Sequence, residues 1–294
     1  MIENSKTNRF ESFLGINLAI LFISTSGVLG KSLEMQPEVA IFWRCLLATL
    51  CLGLFLKWRK IPTLLQERKD LKLIILGGVL MAVHWVTYFY ALSLANVAIA
   101  ILTLHTFPAM TAILEPIILK TKFKLYHLIL AVLVVIGIYI IVPEINISNG
   151  IFAASVFGII SALAYALRNI YTKKVMKNYN GSVMMYYQLI IITFLLTPYL
   201  FLKSSSTLLT HDWPFILGLA IFTTCVGHTL LVVNLKKYSA VTLSLLSSII
   251  PIYAILWPYL FLNETPERNT FIGGGFILLS FIVEAVMTER KADN

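Results

Sequence analysis

The chain has 294 residues, of which 59% are hydrophobic and only 13% charged, with a formal net charge of +9 and a mean hydropathy of +0.86. So few charges cannot cover the surface of a water-soluble domain of this size, which excludes a soluble globular protein. The three cysteines, Cys45, Cys51 and Cys225, sit in apolar stretches without zinc-like spacing, so no disulfide framework, metal centre or cofactor is expected.

A hydrocarbon core about 30 Å thick takes roughly 20 helical residues per crossing. The first twelve residues are polar, and the apolar span that follows, 13–31, outruns a signal h-region and leads straight into further spans. It reads as a membrane helix. Span 37–57 opens on Pro37 and carries Arg44. Spans 73–92 and 96–119 are separated only by Ser93–Ala95, and as a single helix they would run to about 70 Å, so a tight hairpin near Asn96 is expected. Spans 126–143, 150–172, 182–202, 213–234, 239–262 and 270–288 complete the series. These spans are apolar on all sides rather than alternating, which predicts helices and not barrel strands. The expected fold class is therefore all-α: a polytopic membrane protein of ten transmembrane helices.

Lys and Arg in short loops favour the cytoplasmic side. With the N-terminus inside, 18 of the 23 basic residues fall on cytoplasmic segments, against three outside: Lys31, Lys203 and Arg268. Arg44 and Arg168 fall within spans. The basic balance is thus topological, with attraction to anionic membrane lipid as its by-product and no nucleic-acid partner implied. A multi-pass protein of the cytoplasmic (inner) membrane with both termini cytoplasmic is expected.

Sliding the chain on itself by 143–144 positions sets Pro108 on Pro251, His84 on His228, Arg44 on Gln188 and Thr49 on Thr193. Each half holds five spans, an odd number, so the second half enters the membrane upside down. The loops agree: Lys120–Lys124 is basic, whereas its counterpart around Asn263–Asn269 is mixed. Two inverted five-helix repeats, 1–145 and 146–294, are expected, an arrangement that secondary transporters use to expose a midplane site alternately to each side.

Three stretches resemble a known family. Pro37–Arg44 is similar to the Arg-bearing start of the second helix in the EamA-type branch of the drug/metabolite transporter superfamily. Tyr90–Leu102, followed by Pro108, resembles that family's third-to-fourth hairpin, and Ser247–Pro251 leading to Leu260–Glu264 resembles the close of its ninth helix. The first half departs from the last pattern, with Thr121 where the matching Glu would be. The resemblance implies a permease, with efflux of amino acids or related metabolites as the expected activity and protons as a candidate coupling ion. A multidrug permease is the alternative within the superfamily, and an intramembrane enzyme or a channel the alternative outside it. An enzyme would need a nucleophile with a base, or clustered ligands, and the histidines have no such context, so no catalytic residue is expected.

Ionisable groups inside a membrane are costly and mark candidate sites. His84, His105 and His228 lie near the middle of their spans, where a histidine can relay a proton or hydrogen-bond a small-molecule substrate. The competing reading is a neutral histidine satisfied by a neighbouring helix. Arg44 suits headgroup snorkelling, or else a gate or an anionic-substrate contact; Arg168, Glu115 and Glu284 suit snorkelling or structural pairs. Pro108 and Pro251 each remove a backbone donor at pseudo-symmetric positions, as a hinge or cavity would need. Ser26 and Ser248, with neighbouring small and hydroxyl residues, are candidates for a polar lining or for close packing. Trp85, Tyr88, Tyr165, Tyr253 and Trp257 are candidate walls of a solute site, and Gly273–Gly275 are read as tight packing of the last helix.

Overall fold

A computed structural model describes residues 14–65, 67–141, 150–202, 210–261 and 268–293. Its elements are α1 Leu14–Lys31, α2 Pro37–Trp58, α3 Leu71–Leu94, α4 Val97–Leu104, α5 Phe107–Leu119, α6 Leu125–Ile141, α7 Ile151–Val175, α8 Gly181–Leu196 and the short α9 Tyr199–Leu202. They continue with α10 Trp213–Asn234, α11 Ala240–Leu246, α12 Ile250–Phe261 and α13 Arg268–Asp293. The described residues contain no strand. Seven helical spans are long and apolar enough to cross a membrane, and three more apolar helices, Leu125–Gly137, Ala240–Ala254 and Phe271–Glu284, are shorter.

Local chemistry sets the helix starts. Pro37 occupies the first turn of α2, where its missing N–H costs nothing. The expected hairpin turns at Asn96, whose Oδ1 accepts the Ile99 N–H at 2.9 Å and caps α4. Asn180 caps α8 in the same way, and the Ser239 hydroxyl caps α11 by accepting the Thr242 N–H at 3.0 Å. Each cap satisfies a donor that lipid could not.

Polarity is distributed inside out. Phe194, Phe201 and Tyr139 are 78%, 84% and 79% exposed, whereas Arg44, Arg168, Gln188, Ser161 and Thr223 are wholly buried. This is the pattern of helices solvated by hydrocarbon, with polar side chains facing one another. The most extensive contact runs between α3 and α7, followed by α6 with α13 and α2 with α8. Helix α8 also meets the end of α10 through Gly181, where a Cβ would lie 2.5 Å from the Val233 Cα. Only glycine permits that approach.

The last helix corrects one expectation. Helix α13 does pack along α6, held by the Ser280 hydroxyl donating to the Leu130 carbonyl at 3.1 Å and by His127 Nε2 3.5 Å from the buried Glu284 carboxylate. A methyl group at Gly274 or Gly275 would meet nothing within 4 Å, so those two glycines do not make the tight contact. A run of glycines shows where close packing is permitted, not where a partner stands.

Candidate functional site

At the centre of the bundle α3 presents His84, Trp85 and Tyr88 to a cavity of about 30 Å³. Ile23 and Ser26 of α1, Ile101 and Leu104 of α4, His105, Phe107, Tyr165, His228 and Ile250 complete its lining. A space of that size holds about one or two waters and no organic solute.

The hydrogen bonds fix what the histidines offer. The Ser161 hydroxyl donates to the His84 carbonyl at 2.8 Å, so toward the His84 ring it acts as acceptor and Nδ1, 2.7 Å away, carries the proton. In the neutral ring Nε2 is then an acceptor. His105 Nδ1 lies 2.7 Å from the Ile101 carbonyl, which only accepts, so its Nε2 is also an acceptor. That Nε2, His228 Nδ1 and the Tyr88 hydroxyl are buried without a hydrogen-bond partner. Aromatic faces hold the rings in place: His84 stacks on Tyr165 at 4.4 Å, Phe107 meets Tyr165 edge-on at 4.9 Å, and Trp85 meets His228 at 5.2 Å.

Two helix breaks frame the chamber. Helices α4 and α5 are interrupted at His105–Thr106, just before Pro108, and α11 and α12 by a 3₁₀ turn at Ser247–Ile249, just before Pro251. Both prolines are buried, and each break spares its proline a clash with the preceding turn. The Ser247 carbonyl, four residues before Pro251, accepts the Ile250 N–H instead. On the opposite wall, residues 219–228 of α10 form a π-helix, in which the Thr224 hydroxyl reaches the Leu219 carbonyl at 2.8 Å. Departures of this kind cluster at functional sites.

Behind Trp85 lies Arg44, wholly buried, its guanidinium 4.1 Å from the Trp85 ring. Its Nε donates to the Thr224 hydroxyl at 2.7 Å and its Nη2 to the Thr223 hydroxyl at 3.0 Å, which ties α2 to the π-helix. Arg168 is also wholly buried, with Nε 2.9 Å from the Gln188 carbonyl oxygen and Nη1 2.9 Å from that of Asn169. Neither guanidinium snorkels. Glu115 does make a structural contact, its two oxygens accepting the Ala240 and Val241 N–H groups at 3.1 and 2.7 Å.

Seven of the sequence candidates therefore converge on one chamber: Ser26, His84, Trp85, Tyr88, His105, Tyr165 and His228. Ser248 is buried in the 3₁₀ turn, its hydroxyl 3.4 Å from the Ser244 carbonyl, and does not line the cavity. Tyr253 packs half-buried against the core, and Trp257 donates its indole N–H to the Ser24 hydroxyl at 2.8 Å. Sequence reasoning did not single out Ser161, Thr223, Thr224 or Phe107. Of these only Phe107, next to Pro108, carried a signal.

The ends of the bundle repeat one device. Lys31, at the end of α1, donates to the Leu92 and Ala95 carbonyls at 2.8 and 2.7 Å, closing the end of α3. Lys173, at the end of α7, donates to the Leu235 and Tyr238 carbonyls at 2.6 and 2.7 Å, closing the end of α10. A cleft of about 200 Å³ lies at the Lys31 end, bounded by Gly30, Lys31, Leu33, Pro37 and Phe89, and one of about 10 Å³ lies on the Lys173 side, bounded by Asn169, Leu235 and Ser244.

The amino-acid sequence matches the EamA-like transporter family over residues 12–142 and again over residues 152–284. The chain belongs to this family. This EamA-like transporter is 22% identical over 274 residues to the pseudopaline exporter CntI of Pseudomonas aeruginosa, covering 91% of this chain and 94% of that protein. It is 24% identical over 297 residues to an uncharacterized transporter of Clostridium kluyveri, covering 96% of each. A solved crystal structure at 15% identity has the same fold, with a TM-score of 0.78 over 95% of this chain and 98% of that one. With its apolar spans, family membership makes the chain a multi-pass membrane transporter with a small-molecule substrate.

Proposed function

We propose that this EamA-like transporter exports a small organic metabolite, an amino acid or a related compound, across the cytoplasmic membrane by alternating access. In this reading ten helices cross the membrane as two inverted repeats, 1–145 and 146–294, with both termini cytoplasmic and the chamber around His84 as the shared site. The observation that carries it is the duplicated end device. Lys31 and Lys173 stand 142 positions apart, and the carbonyls that they hold, Leu92 with Leu235 and Ala95 with Tyr238, stand 143 apart. The caps at Asn96 and Ser239, and Pro108 and Pro251 behind the breaks, keep that same interval of 143.

Some of the helix contacts fit the same exchange. Under it α6 with α13 and α2 with α8 are self-paired contacts, and α3 with α8 becomes α10 with α2; all of these are present. Such a device closes each end of a bundle with equivalent parts, so opening one and closing the other is a near-balanced exchange. The relative named as an exporter supports the direction of transport.

Reconstitution into liposomes with labelled amino acids and related metabolites tests the proposal, with and without a pH gradient. Saturable exchange of one solute class between the two sides is expected, and an effect of the gradient on its rate would identify protons as the coupling ion. Non-saturable flux, as through a channel, or no flux of any organic solute, would contradict it.

A further inference from the structure

Arg44 has two neutral partners and a vacant edge. Of its three guanidinium nitrogens, Nε and Nη2 reach Thr224 and Thr223, while Nη1 is buried without a partner. Among the described residues no carboxylate compensates it. The buried acids among the described residues are committed elsewhere: Glu38 takes the Tyr90 hydroxyl, Asp70 an Asn178 N–H, Asp212 the Glu34 and Met35 N–H groups, Glu115 those of Ala240 and Val241, and Glu284 faces His127. Arg168, the second wholly buried guanidinium, likewise has only the neutral side chains of Gln188, Asn169 and Met185. Its donors are engaged, so it contributes charge rather than a seat.

An arginine at the centre of a membrane helix costs about 2.5–3.5 kcal/mol even on the mildest scales. The Trp85 face and two hydroxyl contacts offset part of this, yet they leave the Nη1 donors unused. A guanidinium edge is matched by a carboxylate, which accepts two parallel N–H bonds. We infer that Arg44, once Trp85 or Tyr88 yields, is the seat of a carboxylate on the transported solute. Tyr88 and His228 line the cavity with an unpartnered hydroxyl and an unpartnered Nδ1, and His228, like Arg44, packs on Trp85; each group can donate to an anion. The inference rests on the transport reading above for its biological sense, while the seat itself can be tested without flux.

The test is thermal unfolding of the purified full chain in detergent with three probes of one shape: sodium benzoate, benzamide and benzylammonium chloride, at matched ionic strength. Benzoate is expected to raise the unfolding temperature of the wild-type protein by about 2–4 °C as it approaches saturation. Benzamide and benzylammonium are expected to have no such effect. Arg44→Gln should abolish the benzoate shift and Arg44→Lys should weaken it, because lysine keeps the charge and loses the fork. If Arg44→Gln does not fold, the wild-type comparison still decides. Equal stabilisation by all three probes, or by none, would overturn the inference, as would an undiminished benzoate shift in a folded Arg44→Gln protein. An Arg44-dependent benzoate shift without flux in liposomes would keep the seat and refute export. Saturable flux of neutral or cationic solutes, with no benzoate shift, would do the reverse.

Discussion

The hydroxyl of Ser161 gives its one proton to the His84 carbonyl and so holds His84 with its ring proton on Nδ1. If His84 contacts the solute, His84→Ala should lower transport about tenfold, the worth of one buried hydrogen bond, while the protein still inserts and folds. Ser161→Ala should release the ring and broaden the pH dependence of transport without removing it. Measuring transport against pH for the three proteins checks both outcomes, and a near-normal rate with an unchanged profile in His84→Ala would move the site to His105. The three central histidines were legible in the sequence from depth alone. Their partners were not, because Ser161 lies 77 residues from His84 and only the packing of α7 on α3 brings it there. Arg44 was legible as a charge within a span, but snorkelling was the reading its position suggested; its burial against Trp85 and the two threonines depends on contacts from other helices and was not legible.

At the scale of elements, the two ends of the bundle are alike in their lysines, while Glu115 has no acidic counterpart. Glu115 clamps the start of α11 with both carboxylate oxygens, whereas its repeat counterpart, 143 positions on, is Pro258, which has no side-chain acceptor. Each charge-assisted bond of this kind is worth about 1.5–3 kcal/mol. Glu115→Ala should therefore favour opening at the Lys173 end by at least about tenfold, and Glu115→Gln, which keeps a neutral acceptor, by less. The labelling rate of a cysteine introduced at Ser244 by a small thiol reagent reads that opening, and an unchanged rate in Glu115→Ala would rule out a latch. Lys31→Met and Lys173→Met should each loosen only their own end, seen as faster amide hydrogen exchange of residues 92–96 or 235–239 respectively. Helix positions and the hairpin at Asn96 followed from hydropathy and cap residues. The π-helix of α10 did not, because its register answers to Arg44 on another helix.

For the molecule as a whole, the charge bias of 18 basic residues against three and the repeat interval of 143–144 both follow from the sequence, and both concern topology. Reporter fusions at Lys122 and Asn263 should fall on opposite sides of the membrane, Lys122 in the cytoplasm; the same side for both would refute the inverted repeat. The solute escapes a sequence reading because it is set by how donors and acceptors from α1, α3, α7, α10 and the α4–α5 break converge. Alternation between two access states is the central claim, and Ser26 gives the most direct measurement. It lines the chamber and is 7% exposed. In a chain with Cys45, Cys51 and Cys225 replaced, a single cysteine at Ser26 should react with a membrane-impermeant thiol reagent added to either face of sealed vesicles. Cross-linking residues 115 and 240 through introduced cysteines should abolish labelling from the cytoplasmic face and preserve it from the other. Labelling from one face only without the cross-link, or from both faces with it, would contradict alternating access.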